Sequence, residues 1–167
     1  MTPPNLITPG QLAPDFELKD INENSVRLSS FRGSKPVVLT FLRGFLWPYC
    51  RAQLARMRDN YAEFTARGIA IIAVGPDNMQ TFQQYWVKEK IPYIGLPDPD
   101  HQVSKLYRQE VNLFKLGRMP LNTVLDINGR IRYVHFGSSM SDIPDNETFL
   151  NVIDHLNKPS NYVAPQT

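Results

Sequence analysis

A strand, a loop and a long helix follow one another in residues 37–68, and this segment constrains the fold more than any other. Residues 37–42 form an apolar run rich in β-branched side chains, which is typical of a buried strand. Pro48 follows a short loop and suits the first position of a helix. Gly68 stands where a left-handed C-terminal cap belongs. The segment therefore predicts a buried strand that leads directly into a helix.

The apolar residues of this helix recur at steps of four and three, as on a single helix face: Cys50, Leu54, Met57, Tyr61 and Phe64. Cys50 is the only cysteine of the chain and lies in the first turn of the helix. The helix dipole and the free backbone N–H groups of that turn favour a thiolate. We therefore expect a reactive thiol whose pKa lies below that of a free cysteine. The alternative is that Cys50 is a small buried apolar residue.

The following segment predicts a second strand and a second helix. Residues 69–75 are again apolar, so strand, helix and strand form a right-handed βαβ unit. Asp77 is predicted to cap the next helix. The aromatic residues Phe82, Tyr85 and Trp86 lie on that helix, and we expect them to pack on the sheet.

The last part of the chain predicts a hairpin and a closing helix. Residues 122–127 and 131–136 flank Asn128-Gly129, which is the strongest short signal for a β-hairpin. A helix follows, capped by Asp145 or Asn146. We predict an N-terminal arm at 1–11, one domain at 12–157 and a loose tail at 158–167.

Residues 41–51, FLRGFLWPYCR, carry a family resemblance. They resemble the active-site segment of the peroxiredoxin-like proteins of the alkyl hydroperoxide reductase and thiol-specific antioxidant (redoxin) family, in the thioredoxin superfamily. One subgroup carries CPYC here, and this chain has Trp47 in place of the first cysteine. Peroxiredoxins proper have the pattern PxxxTxxC, whose proline and threonine positions hold Arg43 and Trp47 in this chain. The resemblance covers roughly residues 12–156.

The resemblance implies an α/β protein with a thioredoxin-like fold, a peroxiredoxin-type N-terminal hairpin and a central insertion. It also implies an antioxidant oxidoreductase that reduces hydroperoxides through a sulfenic acid on Cys50. Because the chain has one cysteine, an external thiol or thioredoxin-like reductant must then reduce that acid. The alternative is a non-catalytic thioredoxin-fold module for partner binding or redox sensing.

The sequence and the resemblance together indicate the residues of the site. Arg43, in the loop ahead of Cys50, is the first candidate to stabilise the Cys50 thiolate, and Arg118 is the second. The alternative for each is a solvated surface arginine. The pocket would be lined by four residues from two segments: Trp47, Pro48, Met119 and Pro120. In thioredoxin-like folds a cis-proline before the first hairpin strand lies against the active-site cysteine, and Pro120 fits that place. A trans proline at the start of an edge strand is the alternative.

Other classes of function find little support. The net charge of +2 gives no electrostatic case for nucleic acid or for an anionic membrane. The sequence has no apolar run of membrane-spanning length, no signal-peptide pattern, no phosphate-binding loop and no metal-ligand spacing. We therefore predict no cofactor, no metal, no nucleic-acid partner and a cytoplasmic location. The oligomeric state is left open, a homodimer included.

Overall fold

The computed structural model describes residues 7–115 and 117–158. The first six residues of the predicted arm, and the predicted tail after Lys158, lie outside this range. The described chain opens with a hairpin of β1 (Glu17–Lys19) and β2 (Ser25–Arg27), followed by a 3₁₀ turn at Leu28–Phe31. Gly10 and Gln11 bond to the backbone of Ile131, which fastens the start of the chain to the sheet.

The predicted βαβ unit is present. Strand β3 (Val37–Phe41) pairs in parallel with β4 (Ala70–Gly75), and β4 pairs in parallel with β5 (Ile94–Pro97). All five residues of β3 are buried, as expected of a central strand covered on both faces.

The predicted long helix is in fact two helices, α1 (Pro48–Asp59) and α2 (Tyr61–Ala66). Asn60 separates them because its backbone (φ −102°, ψ 15°) leaves the helical region. Asparagine disfavours helix interiors, since its side chain competes for backbone hydrogen bonds. The apolar stripe runs across the break, and Leu54, Met57 and Phe64 are all buried. Gly68 has the predicted left-handed conformation, with φ +67°.

Helix α3 (Met79–Lys88) is capped by Asn78, whose side chain accepts from the N–H of Thr81 at 2.9 Å. The predicted cap, Asp77, is therefore wrong by one residue. Its carboxylate instead accepts the N–H of Phe45 at 3.0 Å. The expected packing of the aromatic residues is confirmed: Phe82 and Trp86 are buried, and Tyr85 stacks on Phe45.

Helix α4 (Gln102–Leu106) and a small pair of strands, β6 (Val111–Asn112) and β7 (Gly117–Arg118), lead into the predicted hairpin. That hairpin is formed by β8 (Leu121–Leu125) and β9 (Ile131–Phe136). The chain then enters α5 (Asn146–Leu156), which Asp145 caps by accepting from the N–H of Thr148. None of the helices in the described ranges is long and apolar enough to cross a membrane.

The central sheet has the strand order β5-β4-β3-β8-β9, with β8 and β9 antiparallel to their neighbours. Alternate residues of β3 face two separate cores. Leu39 and Phe41 pack on one side, while Val38 faces the core that contains Cys50 and Leu54. The thiol therefore lies inside the core between the sheet and its helices.

Candidate active site

Cys50 lies in the first turn of α1, at the end of the sheet where β3 stops. Its side chain is only 1% exposed. The sulfur accepts the backbone N–H of Arg43 at 3.3 Å, and the backbone N–H of Gly44 is a second donor to it. Both donors belong to the loop between β3 and α1. Two consecutive backbone N–H groups thus point at one sulfur, which favours a negative charge there.

The loop reaches this geometry through Gly44, whose φ of +134° is unfavourable for any residue with a Cβ. A Cβ at this position would also lie 3.3 Å from a carboxylate oxygen of Asp77. That carboxylate holds the next residue of the loop by accepting the N–H of Phe45. Asp77 therefore fixes the loop that carries the donors to the sulfur.

Burial raises the pKa of the Cys50 thiol, and this effect outweighs the others. The N–H groups of Arg43 and Gly44 and the charge of Arg43 act in the opposite direction, while the charge of Asp77 adds to the rise. The expected pKa below that of a free cysteine is therefore wrong. The sequence pattern contains the helix N-terminus and the arginine, but the depth of burial follows from packing.

Arg43 is buried beside the sulfur, where its guanidinium contacts two neutral groups. Its guanidinium carbon lies 3.7 Å from the centre of the Trp47 ring, a cation–π contact. Its Nε donates to the backbone carbonyl of Arg118. Burial lowers the pKa of Arg43, and the nearby Cys50 raises it. The arginine and the tryptophan that the sequence singled out thus form one stacked pair next to the thiol.

Arg118 is joined to this site through its main chain. Its carbonyl accepts from Arg43, whereas its guanidinium lies 3.3 Å from Oε1 of Gln109 and 2.9 Å from Nδ1 of His101. Burial lowers the pKa of Arg118, and the charge of Asp98 raises it. The guanidinium therefore faces His101 and Gln109, and Arg118 acts on the site through its contacts with Arg43 and Gln109.

The predicted cis bond at Met119–Pro120 is wrong, because the described peptide bonds include no cis form. Strand β8 pairs with β3 in register with a trans bond before it, and an X-Pro bond is trans unless its surroundings require otherwise. Met119 and Pro120 are both buried. Pro48, by contrast, is exposed at the start of α1.

Sequence reasoning missed Gln109, a buried residue that ties the segments of the site together. Its Nε2 donates to the carbonyls of Phe41, Leu42 and Met119, at 3.3, 3.2 and 2.8 Å. It thereby joins the end of β3 to the segment before β8. No local pattern marks this role, since a single glutamine in an irregular segment has no characteristic spacing.

It also missed a buried polar cluster of Thr40, Gln53 and Asn122 beneath the first turns of α1. A signal for it was present, because Thr40 interrupts an otherwise apolar run and Asn122 opens the strand predicted at 122–127. Asp77 was predicted to cap a helix, whereas it holds the loop by accepting the N–H of Phe45.

One pair of ionisable groups, His135 and Asp142, forms a site of its own. His135 lies 2.8 Å from Asp142, whose pKa is lowered by the N–H of Ser138 and by this histidine. Within the described ranges, no group of three or more His, Cys, Asp and Glu residues is placed to hold a metal ion.

A cavity of about 380 Å³ lies at the opposite end of the sheet, where Arg67 and Asp126 are among its lining residues. We place the chemistry at Cys50, because the residues that line that cavity include no thiol.

Comparison with known proteins gives a consistent family. The profile of the AhpC/TSA family matches residues 9–134. A putative chloroplastic peroxiredoxin Q of Oryza sativa subsp. indica is 32% identical over 131 residues, which cover 77% of this chain and 59% of that protein. A putative peroxiredoxin bcp of Haemophilus influenzae is 34% identical over 103 residues, which cover 62% of this chain and 66% of that protein. The chain thus spans about three fifths of the length of the peroxiredoxin Q relatives from Oryza sativa and Suaeda salsa.

Solved structures show the same fold. The crystal structure of peroxidoxin BcpB from Mycobacterium tuberculosis superimposes with a TM-score of 0.80 at 20% identity, over 92% of this chain and all of that one. At this identity the likeness concerns the fold alone. It confirms the predicted α/β, thioredoxin-like architecture.

Proposed function

The chain belongs to the AhpC/TSA family, and from this premise we propose that it is a one-cysteine thiol peroxidase. The observation that carries the proposal is the position of Cys50. Its sulfur lies at the start of α1, receives the N–H groups of Arg43 and Gly44, and has the Arg43 cation beside it. These groups stabilise a thiolate and can orient an oxygen that approaches it.

In the proposed reaction the Cys50 thiolate attacks the terminal oxygen of a hydroperoxide. The S–O bond forms while the O–O bond breaks, and the leaving alkoxide or hydroxide takes up a proton to give an alcohol or water. Cys50 is thereby oxidised to a sulfenic acid. Since the chain has no second cysteine, an external thiol condenses with this acid and releases water. A second external thiol then cleaves the mixed disulfide and regenerates Cys50.

The pKa of Cys50 gives the donors a specific role. Burial keeps the resting residue largely in the thiol form near neutral pH. The donors and Arg43 act chiefly on the small thiolate fraction and on the charge that develops during attack. An interaction that is stronger in the transition state than in the ground state raises the rate of the chemical step.

We test the proposal by measuring consumption of hydrogen peroxide and cumene hydroperoxide. Wild type and Cys50→Ser are compared with dithiothreitol, glutathione or thioredoxin as the reductant. We expect wild type to consume peroxide catalytically with at least one reductant and Cys50→Ser to consume none. Equal consumption by the two proteins would contradict the proposal.

Burial and the raised pKa of Cys50 both slow the reactions of its thiol, which favours a second candidate, a non-catalytic module for partner binding or redox sensing without turnover. In that case peroxide oxidises Cys50 once, and no reductant gives repeated cycles. A mass spectrum that shows stoichiometric sulfenic acid, together with absence of turnover, would select this candidate.

The finer features of the chain are proposed as well. We propose the domain limits 1–11, 12–157 and 158–167, a cytoplasmic location and a homodimer. The single free cysteine supports a reducing compartment. The exposed side chains of Leu46 and Tyr49, next to Cys50, support a contact surface at the site. Sedimentation equilibrium tests the homodimer.

A further inference from the structure

Three buried polar side chains meet between α1 and the sheet. Thr40, Gln53 and Asn122 are 0%, 2% and 0% exposed. The hydroxyl of Thr40 donates to Oδ1 of Asn122 at 2.7 Å. The Nε2 of Gln53 donates to the same oxygen at 2.6 Å and to the Thr40 hydroxyl at 3.2 Å. The cluster thus joins α1 to two adjacent strands, β3 and β8.

The cluster connects the two elements that make the thiol site. Gln53 stands three residues after Cys50, so the two side chains are neighbours on one side of α1. Thr40 lies in β3, three residues before Arg43, whose N–H donates to the sulfur. A bond between Gln53 and Thr40 therefore ties the helix that carries the thiol to the strand that leads into the donor loop.

Stability alone does not account for polar residues at this place. The neighbours of Thr40 and Asn122 on the same face of their strands are Val38 and Val124, which belong to the apolar core. The Nδ2 of Asn122 has no hydrogen-bond partner among the described residues. An unpartnered buried donor destabilises a fold, and well-packed apolar residues often serve stability as well or better. The cluster instead sets the orientation of α1 on the sheet, because hydrogen bonds fix the position of a helix more narrowly than apolar contacts do.

We propose that Gln53 is a positioning residue, which acts with Thr40 and Asn122 to hold the first turn of α1 at the end of β3. The cluster keeps the Cys50 sulfur within reach of the N–H groups of Arg43 and Gly44. This proposal rests on the proposed function, since the orientation matters for attack on a peroxide.

The proposal predicts that two rates, oxidation of Cys50 by peroxide and its alkylation, change in opposite directions when the hydrogen bonds of the cluster are removed. Attack on hydrogen peroxide needs the sulfur aligned with its donors, so its rate falls by about tenfold. Alkylation by iodoacetamide needs access, and the wild-type thiol is almost fully buried. A loosened first turn exposes the sulfur, so the alkylation rate rises severalfold. A general loss of stability does not by itself produce this opposition.

The experiment uses two variants that keep side-chain size, Gln53→Met and Thr40→Val. Thr123→Val is the matched control, because Thr123 is also a fully buried threonine whose hydroxyl makes a 3.0 Å bond, to the carbonyl of Leu39. It faces the other side of the sheet. Single-turnover sulfenic acid formation and alkylation are followed for each protein at pH 7. Thr40→Ser keeps the hydroxyl and should restore both rates to near wild type.

We expect slower oxidation and faster alkylation in both cluster variants, and wild-type rates in Thr123→Val. Changes of both rates in the same direction, or equal changes in Thr123→Val, would overturn the proposal. If one cluster variant fails to fold, the other decides. If wild type does not react with peroxide, the proposed function fails. Alkylation alone then tests the positioning role, which wild-type alkylation rates in the cluster variants would overturn.

Discussion

Two turns at opposite ends of the central sheet direct backbone N–H groups at an acidic side chain, and they affect it in opposite ways. At one end Arg43 and Gly44 donate to Cys50. At the other end Asn128 and Arg130 donate to Asp126, at 2.9 and 3.0 Å. An arginine accompanies each group, yet the pKa of Cys50 is raised and that of Asp126 is lowered.

The difference lies in the balance between burial and donors. Burial raises the pKa of both groups and is the largest influence in each. Asp126 keeps 11% of its side chain in solvent and forms a direct 2.7 Å ion pair with Arg132. The Cys50 sulfur is more deeply buried, and its N–H donor from Arg43 lies at 3.3 Å. Similar N–H donors therefore accompany a carboxylate that ionises readily at one end of the sheet and a thiol that resists ionisation at the other.

The largest effect that we expect concerns Asp126. The change Asp126→Asn keeps an acceptor for the turn but removes the charge that pairs with Arg132. The free energy of unfolding at pH 7 should fall by about 2 kcal/mol, with allowance for the exposure of the arginine. Urea unfolding measures this loss, and the alkylation rate of Cys50 should stay at its wild-type value.

The pH dependence of the same variant has a definite sign. Because the folded state lowers the pKa of Asp126, the carboxylate stabilises the protein above the unfolded pKa of about 3.9. That stabilisation is lost as the pH falls through the folded pKa. The difference between wild type and variant should therefore shrink from pH 7 to pH 3. A difference that is equal at both pH values would contradict this account.

Arg43→Met should have the next largest effect, on the thiol itself. It removes the cation that lowers the pKa of Cys50 and leaves burial in place. The thiolate fraction at pH 7 should fall by about tenfold. The pH dependence of alkylation measures the pKa independently of access. Arg43→Lys, which keeps the charge without the planar stack, should recover most of the fraction. A wild-type pKa in Arg43→Met would show that this charge does not act on the thiol.

Trp47→Leu probes the stack that covers the arginine. The cation–π contact with Arg43 is lost, so the free energy of unfolding should fall by about 1 kcal/mol. Urea unfolding is the measurement, and Trp47→Phe, which keeps an aromatic face, should lose less. Equal losses in the two variants would mean that the contact is ordinary packing.

The smallest effect should come from Asp77→Asn. The amide keeps an oxygen that accepts the N–H of Phe45, so the loop stays in place. The negative charge that raises the pKa of Cys50 is removed. The thiolate fraction at pH 7 should therefore rise by about threefold, as for one charge acting through a partly screened medium. Alkylation against pH reports the change, and a fall in the fraction would contradict it.

Local signals predicted most of the fold, because caps and turns act on their own neighbours. Pro48 begins α1, Gly68 is left-handed, and Asp145 caps α5, as expected. The cap of α3 was missed because two adjacent residues, Asp77 and Asn78, both suit the position. The N–H of Phe45, a residue distant in the sequence, donates to the carboxylate of Asp77, and Asn78 caps the helix.

The candidate site was predictable only in part, for a related reason. Cys50, Arg43 and Trp47 lie in one short segment, so their proximity follows from the strand, loop and helix pattern. The polar cluster joins Thr40 to Asn122 across 82 residues, and Gln109 reaches Phe41 across 68. Such contacts depend on the pairing of strands rather than on spacing. The predicted direction of the Cys50 pKa shift was wrong for the same reason, since burial is a property of the packed core.

The donors to the Cys50 sulfur are main-chain atoms, and this makes the site tolerant of change in its side chains. Trp47 places a bulky aromatic side chain in the same loop, yet the N–H groups of Arg43 and Gly44 still reach the sulfur. Substitutions around the loop can therefore alter access to the sulfur and the charge near it without removing these two donors. The tolerance ends at Gly44, where a side chain would meet Asp77 and strain the backbone. Positions around the loop can thus be substituted, whereas the backbone turn at Gly44 is fixed.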